Sequence, residues 1–112
     1  MIIEEFLYTK LKDKLPVPIY TQEPEVKPDS YVLFEKTSGG ERHTLKTSTI
    51  AFQSYGKSLH EAMTLNQNLK LKVLGLIAND EIVSIDLNSD YNFTDTETKR
   101  YRYQAVFDIK HY

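Results

Sequence analysis

The residues Tyr55-Gly56-Lys57-Ser58-Leu59-His60-Glu61 constrain this chain more than any others, because an extended run must give way there to a helix. Upstream, Thr44, Thr47, Thr49 and Ile50 bring the β-branched content of a strand. Its alternation places Ile50, Phe52 and Ser54 on one face and Thr49, Ala51, Gln53 and Tyr55 on the other. Gly56 relaxes the turn. Ser58 and Glu61 have the spacing of a capping box, in which the serine oxygen accepts the N–H of residue 61 and the glutamate reaches back to that of residue 58. Leu59, Ala62, Met63, Leu69, Val73, Leu74 and Ile77 then recur mostly at three- and four-residue steps, with Asn66 a polar gap and Asn79-Asp80 the end. A helix of this length is marginal alone in water, so its apolar stripe requires a sheet to lie on.

The remaining elements follow from the same periodicities. Ile3, Phe6, Leu7 and Leu11 share one face of an N-terminal amphipathic helix, with Glu4, Glu5, Lys10, Lys12 and Lys14 outward and Leu15-Pro16 ending it. Val17-Pro18-Ile19-Tyr20 can form only a short edge strand, since each proline removes a ladder donor. Pro24 to Asp29 reads as a polar loop, and Tyr31 to Glu35 as a buried strand, apolar on both sides. Ser38-Gly39-Gly40-Glu41-Arg42 reads as a flexible tip joining that strand to the next. Beyond the long helix, Glu81 to Leu87 alternates loosely. Tyr101, Tyr103, Ala105, Phe107 and Ile109 define one face of a final strand.

The expected order is α-β-β-β-α-β-β: one α+β domain over residues 1–112, with a mainly antiparallel or mixed sheet and both helices on one face. With 27% charged residues and 40% hydrophobic ones, the chain has the composition of a globular domain. It contains no cysteine, so neither a disulfide framework nor a Cys-ligated zinc site is available. The first residues are acidic where a signal peptide is basic, and no apolar run approaches the roughly 18 residues of a membrane span. A net charge of −2 argues against a protein whose main work is gripping nucleic acid.

Three constellations have the outline of chemistry, and each has a simpler explanation. Gly56-Lys57-Ser58 sits between strand and helix as the end of a phosphate-binding loop does, but Ala51 stands where that loop needs its first glycine, inside a strand pattern. Asp86, Asn88, Asp90 and Glu97 occupy positions 1, 3, 5 and 12 of a calcium loop, but Tyr91 stands where the sharp turn requires glycine. A structural loop is the expectation there. His43, His60 and His111 lie in separate elements and are expected at surface or cap positions; no serine has a paired histidine near it in sequence. The expectation is therefore no catalytic residue, no cofactor and no metal. Lys99, Arg100 and Arg102 cluster before the last strand, either as a solvated face or as a patch for an acidic partner or passing DNA.

The segment Phe34 to Arg42, followed by Ile50-Ala51-Phe52-Gln53-Ser54-Tyr55-Gly56-Lys57-Ser58 and a helix with Ala62, resembles the tail-terminator and tail-completion proteins of long-tailed bacteriophages. Small minor capsid or head-tail joining proteins belong to the same group. The resemblance implies an α+β subunit that forms a ring, typically of six. Such a ring caps the tail tube, stops its growth and joins the tail to the head. The implied partners are other copies of the chain, the tail tube protein, a head-tail neck protein and DNA threading the ring without sequence-specific binding. No membrane is involved; the implied location is the head-proximal end of the virion tail, after assembly in the bacterial host cytoplasm. The resemblance carries no catalytic residues. Gly39, Gly40, Glu41 and Arg42 at the hairpin tip, with Lys99, Arg100 and Arg102, are the candidate contact residues. Another head-tail neck connector, or a small calcium- or ligand-binding module, is the alternative.

Overall fold

The computed structural model describes residues 1–112 and has the expected element order. Two helices, α1 (Ile3–Leu11) and α2 (Leu59–Leu74), pack against one face of a sheet formed by β1 (Ile19–Tyr20), β2 (Tyr31–Arg42), β3 (Leu45–Gly56), β4 (Ile82–Asn92) and β5 (Tyr101–His111). The spatial order is β1-β2-β3-β5-β4. β1 runs parallel to β2, and every other pair is antiparallel. The sheet is therefore mixed, and the strand formed last in sequence lies inside it.

Helix α1 buries the four residues its pattern singles out, Ile3, Phe6, Leu7 and Leu11. It ends at Leu11, five residues before Pro16, and the chain winds on through a bond from the Lys14 N–H to the Leu11 carbonyl. The inward side chains of the sheet meet both helices in one core: Val32 and Phe34 from β2, Ile50 and Phe52 from β3, Ala105, Phe107 and Ile109 from β5, Ile82 from β4.

Helix α2 corrects the stripe. Its buried residues are Ala62, Leu65, Asn66, Leu69 and Val73, joined by Leu76 in the single 3-10 turn Gly75–Ala78. Met63, Leu74 and Ile77 are exposed instead. Asn66 is not a gap in the buried face but part of it: its Nδ2 donates to Asp90 Oδ1 at 2.7 Å, which carries a polar side chain into the core. The capping box is half formed. The Glu61 N–H donates to Ser58 Oγ at 3.1 Å, but the Glu61 carboxylate accepts from the Ser30 hydroxyl, tying the loop before β2 to the start of α2.

Gly56 has a reason beyond turning. A Cβ there would lie 2.6 Å from the Ala62 backbone nitrogen and 3.0 Å from the Glu61 carbonyl carbon. The first turn of α2 therefore rests directly on the backbone at the end of β3, with no room for a side chain.

Two loop readings are also corrected. Gly39 to Arg42 does not form a tip: these residues belong to β2 and pair in register with Leu45 to Ser48. The turn is the two-residue step His43-Thr44, where His43 takes a φ of 60°. The extra residue Thr37, at a bulge between Lys36 and Ser38, shifts the register that the sequence pattern alone would extend. Asp86, Asn88 and Asp90 lie in the extended strand β4, which runs on to Asn92, so they do not wrap a loop around an ion. The loose alternation of β4 has a structural cause, a bulge between Ile82 and Ser84 that lets both Ile82 and Ile85 face the helices.

Candidate interaction surfaces

Arg42 and Arg102 lie on the face of the sheet turned away from the helices, at its two ends, whereas Glu41 pairs with Lys46 on the helix-bearing side. Arg42 pairs with Leu45 at one end of β3, and Tyr55 pairs with Arg102 at the other. At 3.4 Å per residue those positions are about 34 Å apart, so the structure does not bring Gly39, Gly40, Glu41 and Arg42 together with Lys99, Arg100 and Arg102. They are two surfaces.

At the second end the period of two puts Tyr31, Tyr55 and Arg102 side by side across β2, β3 and β5. The Tyr31 and Tyr55 rings stack with centroids 4.4 Å apart and planes 10° from parallel. Arg100 lies over the pair, 4.8 Å from the Tyr55 centroid and 5.5 Å from that of Tyr31. Its guanidinium donates to the Tyr31 hydroxyl at 2.6 Å and stands 3.7 Å from Glu23. The Tyr31 hydroxyl donates in turn to Glu23 Oε1 at 2.6 Å. Burial and this bond to a carboxylate push the Tyr31 pKa well above the usual phenol range, because ionising it would strand an anion against Glu23. Arg102 donates to the Phe93 carbonyl at 2.6 Å and to the Tyr55 hydroxyl at 3.0 Å, and covers the Phe93 ring at 4.4 Å.

These contacts give the two arginines a structural task. They fasten the loop before β2 and the Phe93 to Arg100 connection across the end of the sheet. Lys99 sits beside them with a φ of 57°, and with Lys27, Lys57 and Arg100 it borders a shallow cavity of about 260 Å³ that also holds Asp29. Lys57 stands 3.6 Å from Asp29, so part of that positive charge is answered locally. Gly56-Lys57-Ser58 borders this cavity only through its first two residues, and Ala51 lies in mid-strand with no loop around a phosphate.

The hairpin end differs. From Glu35 to Arg42 every residue of β2 is exposed, and Arg42 forms none of the ion pairs in the molecule. At the far rim, β4 is an 11-residue edge strand with no neighbour on its outer side, carrying Val83, Leu87 and Tyr91 at 41–45% exposure. Ile77, on the 3-10 turn packed against β4, is exposed as well. Tyrosine exposure is less uniform than the sequence suggests: Tyr8, Tyr91, Tyr101 and Tyr112 are open, whereas Tyr31 and Tyr55 are already buried within the chain.

One pair of side chains was invisible in the sequence. His111 is buried rather than at a surface or cap position. Its Nε2 lies 2.8 Å from Ser48 Oγ, and its Nδ1 lies 3.1 Å from the oxygen of Tyr112. Since that oxygen can only accept, Nδ1 carries the proton and Nε2 accepts from the serine hydroxyl. This resembles the nucleophile–base pair of a hydrolase, but Ser48 and His111 are each 1% exposed, which leaves no access for a substrate. Their separation of 63 positions explains why spacing gave no sign. His43 is in the hairpin turn and His60 is exposed in the first turn of α2. No group of three or more His, Cys, Asp or Glu side chains converges as a metal site would require, and no helix is long and apolar enough to cross a membrane. No protein-family model matches the chain, nor does any curated protein sequence.

Proposed function

We propose that this chain is a structural protein of a phage or prophage tail, a terminator that caps the tail tube as a ring and joins it to the head. The observation that carries the reading is the asymmetry of the two rims. One rim is the long unpaired strand β4 with apolar side chains exposed along it. The other is the two-residue β1 and the acid-flanked remainder of β2, which does not suit β4, so in the ring β4 meets a different surface of its neighbour. A closed ring needs two different patches on each subunit, one meeting the other on a neighbour. A long bare strand edge is a ready template for such a contact. Two bulges and the carboxylates of Asp86 and Asp90 restrict which strands can match it. The sequence resemblance supplies the rest: tube protein on one side, neck protein on the other, and DNA passing through the hole without being read.

Sedimentation of the purified protein, alone and with tail tubes from the same genome, tests the proposal together with electron microscopy of the mixture. A six-fold ring at one end of each tube is the expected result. Tubes that stay bare and keep growing in the presence of excess protein would sink it.

A further inference from the structure

The largest cavity of the molecule, about 750 Å³, is an open groove between α1 and the outer edge of β2. Glu4, Glu5, Tyr8 and Thr9 form the helical wall, two (i, i+4) pairs on one side of α1. Phe34, Glu35 and Lys36 form the other wall, and Thr21 closes one end. What distinguishes this groove from an ordinary surface hollow is the backbone along it. β1 pairs with β2 only through Ile19↔Val32 and Tyr20↔Leu33, and the chain then turns away at Thr21. The Val32 N–H donates to the Pro18 carbonyl, so Val32 points its peptide groups at β1. By the two-residue period of a strand, the next groups on that edge are those of Phe34 and Lys36. The Phe34 carbonyl and the Lys36 N–H therefore stand at the groove with no strand opposite them.

We infer that this groove takes an extended, lysine- or arginine-bearing segment of a different protein, which continues the line of β1 and adds itself to the edge of β2. Strand addition of this kind draws affinity from main-chain bonds and selectivity from the side chains beside them. Here the flanking side chains are three carboxylates, Glu4, Glu5 and Glu35, against one cation, Lys36. A second copy of the chain does not fit. Its free strand β4 has no lysine or arginine from Ile82 to Asn92 but does have Asp86 and Asp90, so it would bring acids to acids. The inference stands on the groove and does not depend on the ring described above.

A synthetic pentapeptide alternating lysine and valine, titrated into the full-length 15N-labelled protein, tests it by amide chemical shifts. Saturable shifts at Thr21, Glu35 and Lys36 are expected. The same peptide built with glutamate in place of lysine should bind about tenfold or more weakly, as should the lysine peptide to a Glu4→Lys, Glu35→Lys double variant whose melting curve is normal. No shift at millimolar peptide, equal binding of the two peptides, or shifts confined to β4 or to Arg100 would overturn the inference. So would peptide-free, concentration-dependent shifts at the same three amides, because the occupant would then be a second copy.

Discussion

His111 makes the pH dependence of this protein legible from a single side chain. Burial holds its pKa below the usual imidazole value, and the charges of Lys46, Lys36 and the N-terminal amine add to that, while the bond to Tyr112 opposes it. The native state thus keeps His111 neutral at a pH where the unfolded chain already protonates it. Stability is then fully present above the ordinary value of 6.5 and falls as pH drops from there toward the depressed native value. Urea unfolding between pH 8 and 5 should show this loss in the wild type and a flatter profile in His111→Gln. Asp108, whose pKa is lowered by bonds from Asn88 and Thr49, acts in a separate window below its ordinary 3.8. None of this is readable from sequence, because the serine that receives His111 is set by strand register. Ser48 pairs with Ile109 on β5, and only with β5 beside β3 does His111 reach it.

At the scale of elements, periodicity identified what each segment is and often failed to say where it stops or which way it faces. The buried face of α1 was legible because its four apolar residues meet a single surface, although its end was not. α2 was not: it lies across β3 and β5 and continues into a 3-10 turn, which rotates the buried stripe toward Leu65, Asn66 and Leu76. Bulges in β2 and β4 reset the alternation, and Gly39-Gly40, read as a turn signal, proved to be strand. Gly56 is the position where local chemistry and packing coincide. Since backbone atoms of α2 occupy the space of its missing side chain, Gly56→Ala must push strand and helix apart. A loss of about 1–3 kcal/mol in denaturant unfolding is expected, the cost of overpacking a rigid contact. Gly40, with nothing within 4 Å of the added atom, should accept alanine at far lower cost.

For the molecule as a whole, the class of fold was legible and the neighbour relations were not. The edge position of Val17 to Tyr20 was legible from its prolines, but nothing in the sequence says that the final strand β5 is interior and that β4 holds the other rim. The candidate contact residues separated for the same reason, since no sequence pattern states that β2 and β3 form a hairpin long enough to hold Arg42 and Arg102 at opposite ends. That separation gives the proposed function a sharper test at Arg42, which is exposed and free of ion pairs. Arg42→Glu should leave the unfolding midpoint unchanged, within about 0.5 kcal/mol, while abolishing attachment of tails to heads. Infectious particles at the wild-type level from this variant would count against a joining role for the hairpin end.

The interior position of β5 also sets the order in which the sheet can be built. β2, β3 and α2 come off the ribosome as neighbours and can associate early. β4, made next, has no strand to join, because residues 101–111 must first slide in between it and β3. Until they do, two strand borders lie bare in the nascent chain. Efficient production therefore depends on that final insertion outrunning capture by other chains.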